Sequence, residues 1–161
     1  YQVKFFDPFV PRGTDRALGL TRVYDRDDLL AECDIVSIHI PLTQETRGMV
    51  DEQFLATMKP TGVLINVSRG GLFQCLDVLY DVLKRLPLFC VGTDVLPEEP
   101  PGEHPLLNAW RSSDQWLGGR FLLTPHAAFY SQDACRDLRQ NAAESVETVL
   151  SGLSPCNVVN M

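Results

Sequence analysis

The stretch Val63-Leu64-Ile65-Asn66-Val67-Ser68-Arg69-Gly70-Gly71-Leu72 is an apolar run that ends in a polar turn. Residues 63–67 have the composition of a strand buried on both faces, and the glycines after Arg69 permit a sharp bend. A helix is predicted next, over residues 77–86. Because an open α/β sheet binds ligands outside the carboxyl ends of its strands, Arg69 is expected to face a ligand crevice. Its guanidinium suits a carboxylate, although an arginine after a strand is also found as a surface or phosphate-facing residue.

The rest of the chain alternates short apolar runs with amphipathic segments. Helices are predicted to begin after the N-caps Asp25, Asp51 and Ser131. Residues 102–119 show no sustained period and are predicted to be a surface excursion, anchored by Leu106, Leu107, Trp110 and Trp116. Further strands are predicted over residues 3–6, 21–24, 34–40, 87–95 and 121–124. Strands that alternate with helices indicate parallel βαβ units, so the predicted fold is α/β with a doubly wound parallel sheet.

The composition is that of an ordinary globular chain. It has 161 residues, of which 45% are hydrophobic and 22% charged, enough for one domain with a sizeable core. Fourteen Lys and Arg against 21 Asp and Glu give a formal net charge of −7. Non-specific binding to nucleic acid or to an anionic membrane needs clustered cations, so neither partner is expected.

The five cysteines are predicted to be buried free thiols, because they lie mostly in apolar stretches and show no C-x-x-C spacing. Their pattern gives no metal site. It favours a reducing compartment, so a cytoplasmic or nuclear location is expected. The residues are Cys33, Cys75, Cys90, Cys135 and Cys156.

An acidic residue, Asp7, follows the first predicted strand and precedes Pro8. One interpretation is a turn or cap carboxylate, which the Asp-Pro context favours. The other is the acid that accepts the hydroxyls of an adenine ribose in a dinucleotide site. Arg12 and Arg16 follow and suit a ribose phosphate, but the carboxylate of Asp7 would repel one. The balance favours NAD as the cofactor.

Three polar residues are expected at the carboxyl ends of three different strands: Arg69, Glu99 and His126. Singly, each has an ordinary structural interpretation. Together, a carboxylate stabilises the imidazolium so that it donates a proton near neutral pH, while a guanidinium holds a substrate carboxylate and polarises the adjacent carbonyl. The three residues predict a centre for the reduction of a 2-oxo acid. His39 is interpreted as a strand residue packed by its neighbours, with no chemistry.

Five motifs occur in an order that resembles a known family. They are Phe6-Asp7-Pro8, His39-Ile40-Pro41-Leu42-Thr43, Ile65-Asn66-Val67-Ser68-Arg69-Gly70-Gly71, Asp94-Val95 followed by Glu99-Pro100, and Thr124-Pro125-His126. They resemble the NAD-binding domain of the D-isomer-specific 2-hydroxyacid dehydrogenases, over essentially the whole chain. Residues 127–131 and 16–20 look closest to the branch that contains the C-terminal binding proteins, which are transcriptional co-repressors with the dehydrogenase fold.

The resemblance implies a role for each residue. Arg69 would bind the substrate carboxylate, and Glu99 would support His126. His126 would exchange a proton with the C2 oxygen while the nicotinamide exchanges a hydride at C2. Asp94 would bind the nicotinamide carboxamide, and Asp7 the adenine ribose. Arg69 and His126 would also touch the cofactor, whose remaining contacts are implied to be Ile40, Pro41, Leu42, Thr43, Thr46, Val67, Ser68 and Ala128.

The family pattern also implies parts that these residues do not supply. The glycine-rich phosphate turn and the first βα unit are expected before Tyr1, and the separate substrate domain is expected elsewhere in the parent protein. Residues 1–152 are therefore predicted to be a partial NAD-binding domain, and residues 153–161 a tail that returns to the substrate domain. On this interpretation the chain alone is inactive, and its parent is an NAD-dependent dehydrogenase, expected as a homodimer, that acts on a small 2-oxo or 2-hydroxy acid. The alternative is an NAD-binding transcriptional co-regulator or scaffold of the C-terminal-binding-protein type.

Overall fold

The computed structural model describes residues 1–155 and residue 158. Cys156 and most of the end of the predicted tail, residues 157 and 159–161, lie outside the described residues. The chain divides into two compact units, Tyr1–His126 and Ala127–Met161. The domain boundary predicted after residue 152 stays a prediction.

The first unit alternates short strands with helices, as the sequence predicts. Its strands are β1 (Lys4–Phe5), β2 (Thr21–Arg22), β3 (Ile35–Ile38), β4 (Val63–Asn66), β5 (Cys90–Thr93) and β6 (Phe121–Leu123). Its helices are α1 (Thr14–Leu18), α2 (Arg26–Glu32), α3 (Glu52–Thr57), α4 (Leu76–Arg85) and α5 (Pro105–Arg111), with a 3-10 turn at Gly70–Leu72. The predicted N-caps are present: Asp25 accepts the amide N–H groups of Asp27 and Asp28, and Asp51 accepts that of Phe54.

Every strand pair in the first unit is parallel, which confirms the predicted fold class. The strands β3, β4, β5 and β6 form one sheet in that order, and β1 pairs with β2 in a second sheet. In the larger sheet, Ile38 lies opposite Asn66, Asn66 opposite Thr93, and Thr93 opposite Leu123. The carboxyl ends of these four strands are therefore level, and the loops that follow them share one edge of the sheet.

The core lies on one face of this sheet. Burial alternates along β3, β4 and β5, as it does in strands with a single buried face. The prediction that residues 63–67 are buried on both faces is therefore wrong: Leu64 and Asn66 are buried, but Val63 and Ile65 are only half-buried and Val67 is exposed. The buried face packs with apolar residues of α3 and α4, among them Phe54, Leu55, Leu79, Val82 and Leu83.

Residues 102–119 contain α5, which the sequence analysis did not predict. His104 caps this helix, because its Nδ1 accepts the Leu106 amide N–H at 3.1 Å. Leu106 and Leu107 are buried, as predicted for anchors of the segment, whereas Trp110 is 37% exposed. A helix of seven residues is too short to display a clear apolar period, so it was missed.

The second unit contains α6 (Gln132–Leu150). Its predicted N-cap is confirmed, since the Ser131 hydroxyl accepts the Ala134 amide N–H at 3.0 Å. The helix is followed by Gly152, whose φ of 72° is one that glycine adopts readily.

Cysteine placement agrees only in part with the prediction. Cys33, Cys75, Cys90 and Cys135 are free thiols, but each is half-buried and none of these four is fully buried. Within residues 1–155 and at residue 158, the structure shows no helix with the length and apolar character needed to cross a membrane.

Candidate active site

The turn after β4 is shaped by a buried amide. Asn66 is fully buried, and its Nδ2 donates to the Arg69 carbonyl oxygen at 3.0 Å while its Oδ1 accepts the Ser68 amide N–H at 3.0 Å. The Ser68 hydroxyl donates to the Ile40 carbonyl oxygen, which ties this turn to the loop after β3. Arg69 is left exposed at the tip of the turn, with its NH1 donating to the Ser68 carbonyl oxygen at 2.8 Å.

Glycine at position 70 lets this turn touch the loop after β5. A Cβ placed on Gly70 would lie 1.7 Å from the carbonyl oxygen of Leu96 and 2.1 Å from its carbonyl carbon. These are backbone atoms that cannot swing aside, so no residue with a Cβ fits here without moving one of the loops. The close approach joins the turn that carries Arg69 to the loop that carries Glu99.

Polar groups at the ends of β4, β5 and β6 form one connected network. The Asp94 amide N–H donates to the Asn66 carbonyl oxygen at 3.0 Å, and the Thr93 hydroxyl donates to the Val95 carbonyl oxygen at 2.7 Å. The buried carboxylate of Asp94, 3% exposed, accepts a hydrogen bond from the Thr124 hydroxyl. These bonds fix the backbone on which the candidate catalytic residues stand.

His126 and Glu99 form a direct pair. Nδ1 of His126 lies 2.7 Å from Oε2 of Glu99, and Oε1 of Glu99 accepts the Leu96 amide N–H at 2.8 Å. The His126 amide N–H donates to the carbonyl oxygens of Asp94, at 2.9 Å, and Thr124, at 3.0 Å. His126 has a φ of 52°, which is unusual for a residue with a side chain and is held by these bonds.

The hydrogen bonds of Glu99 decide its charge. Partial burial acts to raise the pKa of this carboxyl group, but the hydrogen bonds from His126 and from the Leu96 N–H, with the charge of His126, outweigh that effect. The net result is a Glu99 pKa below its ordinary value. Glu99 is thus an anion at neutral pH, and it stabilises positive charge on the imidazole.

A cavity of about 500 Å³ opens beside this pair. Its wall includes Glu99, His126, Leu96, Thr124 and Trp110. The pair itself is exposed to solvent, with 44% of the His126 side chain and 36% of the Glu99 side chain accessible. Trp110 belongs to α5 and was predicted as an anchor of a surface segment, so its place in this wall was not foreseen.

The other predicted cofactor residues lie in loops at the same edge of the sheet. After β3, the Thr46 hydroxyl donates to the Pro41 carbonyl oxygen at 2.8 Å and accepts the Thr43 amide N–H at 2.7 Å, which closes that loop. Ile40 and Leu42 are half-buried there. Val67 and Ser68 precede Arg69 in the turn after β4.

His39 differs from its prediction. It is exposed rather than packed by its neighbours, because it follows the last residue of β3. Its Nε2 lies 2.8 Å from the Ser37 hydroxyl, which is also exposed.

Asp7 and Ala128 stand apart from the network of β4, β5 and β6. Asp7 follows β1 in the two-stranded sheet, and its Oδ1 accepts the Phe9 amide N–H at 2.8 Å. The turn interpretation of this carboxylate is therefore correct. Asp7 also lies just after the carboxyl end of a parallel strand, which is the position that the ribose interpretation requires. Ala128 belongs to the second unit.

The acceptors present suit a nicotinamide dinucleotide. The carboxylate of Asp7 matches the hydroxyls of an adenine ribose, and the buried carboxylate of Asp94 matches the amide donor of a nicotinamide carboxamide. In the described part of the chain, no cluster of His, Cys, Asp and Glu suits a metal ion. A parallel sheet with these loops at one edge defines the class: a dinucleotide-binding domain.

Residues 1–128 match the family described as "D-isomer specific 2-hydroxyacid dehydrogenase, NAD binding domain". The chain belongs to this family, and it is an NAD-binding domain, as its motifs predict.

Similar proteins include both enzymes and a C-terminal-binding protein. The chain is 33% identical over 156 residues to a D-3-phosphoglycerate dehydrogenase of Methanocaldococcus jannaschii, covering 97% of this chain and 28% of that protein. It is 32% identical over 154 residues to C-terminal-binding protein 1 of Caenorhabditis elegans, covering 94% of this chain and 20% of that protein.

A solved D-isomer-specific 2-hydroxyacid dehydrogenase of Lactobacillus delbrueckii ssp. bulgaricus, in its NAD-complexed form, superposes with a TM-score of 0.76 at 29% identity. The match covers 99% of this chain and 49% of that one. The chain thus spans about half the length of that dehydrogenase and about a quarter of the phosphoglycerate dehydrogenase.

Asn66, Gly70 and Thr124 occur in the sequence motifs and Trp110 is predicted as an anchor, but none of them is assigned from the sequence the role seen here. Asn66 gives a recognisable signal, because it is a polar residue inside an apolar strand run. The close approach of Gly70 to Leu96 is signalled only by the paired glycines. The hydrogen bond of Thr124 and the place of Trp110 in the cavity wall depend on neighbours distant in sequence, so no local pattern indicates them.

Proposed function

We propose that the parent protein is an NAD-dependent dehydrogenase that interconverts a small 2-oxo acid and the corresponding D-2-hydroxy acid. The observation that carries this proposal is the hydrogen bond of 2.7 Å between His126 and Glu99 at the edge of the sheet where the loops meet. A histidine held by an ionised carboxylate is suited to general acid-base chemistry on a carbonyl or hydroxyl group.

The orientation of the pair supports Nε2 of His126 as the reacting nitrogen. Glu99 is ionised, so it accepts a hydrogen bond from the Nδ1–H group of His126, and the proton exchanged with the substrate is then the one on Nε2. During reduction the imidazolium donates this proton to the C2 oxygen of the substrate. During oxidation the neutral imidazole accepts it from the hydroxyl group. Glu99 stabilises the charged form without itself taking the proton.

Arg69 has the position and chemistry to bind the substrate carboxylate. Its guanidinium is exposed at the tip of the turn that Asn66 holds, and a guanidinium binds a carboxylate through two parallel hydrogen bonds. Its positive charge beside the carbonyl also stabilises the negative charge that develops on the C2 oxygen.

NAD, when bound, supplies the hydride acceptor or donor for C2. We propose that Asp94 orients the carboxamide and that Asp7 binds the adenine ribose. The loop residues Ile40, Pro41, Leu42, Thr43 and Thr46, with Val67 and Ser68, would line the cofactor, and Ala128 would follow His126 beside it. These residues bind and orient, whereas proton transfer falls to His126.

His126→Ala in the full-length protein tests this proposal. Loss of a general acid-base group is expected to lower kcat for 2-oxo acid reduction by roughly 10²–10⁴-fold. The Kd for NADH, measured by fluorescence titration, should stay within about threefold, because the imidazole supplies the proton rather than the main cofactor contacts. His39→Ala is the matched control, since it removes an exposed histidine that follows β3. Undiminished turnover in His126→Ala would exclude His126 as the proton donor.

A second candidate is an NAD-binding co-regulator or scaffold. It is supported by the 32% identity to C-terminal-binding protein 1 of C. elegans. A panel of 2-oxo acids assayed with NADH separates the two candidates. Turnover that depends on His126 favours the enzyme, whereas NADH binding without turnover of any 2-oxo acid favours the co-regulator.

A further inference from the structure

Arg22 ties together both ends of the loop that carries Asp7. It lies on β2 opposite Phe5 of β1, and its side chain reaches the loop that follows β1. There NH2 donates to the Asp7 carbonyl oxygen at 2.7 Å, and NH1 donates to the carbonyl oxygens of Val10 and Pro11 at 3.2 and 3.3 Å. One guanidinium thus holds the backbone at Asp7 and at Val10 and Pro11, within the loop between β1 and α1.

The guanidinium is committed to this structural task. Its central carbon lies 5.1 Å from the centroid of the Tyr24 ring, a cation–π arrangement that holds it in place. Its Nε is buried and has no hydrogen-bond partner among the described residues. Because Nε donates no hydrogen bond, the position of the side chain is set by the Tyr24 ring and by the bonds of the two terminal nitrogens.

The loop between β1 and α1 has few other hydrogen bonds of its own. Two prolines, Pro8 and Pro11, lack amide donors, and Asp7 uses one carboxylate oxygen to hold the Phe9 amide N–H at 2.8 Å. Thr14 closes the far end, where its hydroxyl donates to the Pro11 carbonyl oxygen at 2.8 Å. Among the described residues, only the side chain of Arg22 bonds both to the backbone of Asp7 and to the backbone of Val10 and Pro11, on the side of the loop that enters α1.

We infer that Arg22 is a positioning residue that holds Asp7 in place to bind the adenine ribose, and that it thereby sets the preference for NADH over NADPH. This inference rests on the proposed function, in which Asp7 binds that ribose. Arg22 is not itself placed to bind a ribose phosphate, because NH1 and NH2 are taken by backbone carbonyl groups. A lysine has no fork with which to reach three carbonyl oxygens, so it cannot replace Arg22 fully.

Titrations of the full-length protein with NADH and with NADPH, followed by fluorescence, test the inference. Arg22→Gln is expected to raise the Kd for NADH about tenfold, because the loop loses its charged hydrogen bonds and no longer holds Asp7 in place for the ribose. The Kd for NADPH should change less than about twofold, because Asp7 makes no favourable contact with a 2′-phosphate. Arg22→Lys should give an intermediate Kd for NADH. Arg85→Gln removes an exposed cation of α4 and is the matched control.

A double-mutant cycle with Asp7→Ala shows whether Arg22 acts through Asp7. In the Asp7→Ala background, Arg22→Gln should have no further effect on the ratio of the two Kd values. Additive effects, equal weakening of both nucleotides, or a wild-type ratio in Arg22→Lys and Arg22→Gln would overturn the inference. The rate of 2-oxo acid reduction by the same wild-type sample is measured in a separate assay. If the sample binds NADH but reduces no 2-oxo acid, the proposed dehydrogenase activity is overturned and the role of Arg22 is not.

Discussion

The imidazole of His126 depends on Glu99 for its orientation. The carboxylate accepts a hydrogen bond from Nδ1, and the Leu96 N–H holds the second oxygen of the same carboxylate. Because these hydrogen bonds hold the pKa of Glu99 below its ordinary value, the carboxylate is an anion at neutral pH and stabilises positive charge on the imidazole. We therefore expect Glu99 to affect the proposed proton transfer without contacting the substrate.

Glu99→Gln should lower kcat for 2-oxo acid reduction by roughly tenfold or more. A neutral amide does not stabilise positive charge on the imidazole, and it accepts the hydrogen bond from Nδ1 of His126 more weakly than a carboxylate does. The measurement is the separate determination of kcat and KM, and we expect kcat to fall with little change in KM, because Glu99 is proposed to act through His126. An unchanged kcat in the variant would contradict a coupling of the two residues.

At the scale of elements, the close contact between two loops organises the site. The turn after β4 carries Arg69, and the loop after β5 carries Glu99. They meet where Gly70 abuts the Leu96 carbonyl group. The relative position of Arg69 and Glu99 therefore depends on a position with no side chain.

Gly70→Ala should separate these loops. Its Cβ would overlap the Leu96 carbonyl group, and overpacking of this kind lowers the free energy of unfolding by roughly 1–3 kcal/mol. Gly102→Ala is the matched control, because a Cβ at that position meets nothing within 4 Å. Denaturant unfolding of the full-length variants gives the free energies, and kcat for 2-oxo acid reduction should fall only in Gly70→Ala. Equal stability of the two variants would show that the loops adjust without cost.

Elements with strong local signals were predictable from sequence, and those stabilised by distant contacts were not. The run that forms β4 and the N-caps of α2, α3 and α6 are local features, and the structure contains them. Helix α5 is different: it is short, and its cap is His104, whose Nε2 also bonds to Asp77 of α4 at 3.1 Å. That stabilisation comes from a residue 27 positions away, so no local pattern indicates it.

At the scale of the whole molecule, parallel strands bring sequence-distant groups to one edge. The sequence predicts that Arg69, Glu99 and His126 follow different strands, and a parallel sheet is enough to place them at the same edge. It does not predict the hydrogen bonds that hold these loops in place. Examples are the bond from the Asp94 N–H to the Asn66 carbonyl oxygen and the bonds from Arg22 to the loop that carries Asp7. These depend on register and on side-chain reach, which only the assembled sheet defines.

The peptide units on either side of Leu96 have a consequence for redesign. The Leu96 N–H is bonded to Glu99, while the Leu96 C=O lies against Gly70. A change in the length of either loop alone would disturb both contacts at once. Segments 66–70 and 94–99 should therefore be exchanged together in a chimera with a related protein. A chimera that exchanges only one of them should lose both the Leu96–Glu99 hydrogen bond and the close contact with Gly70.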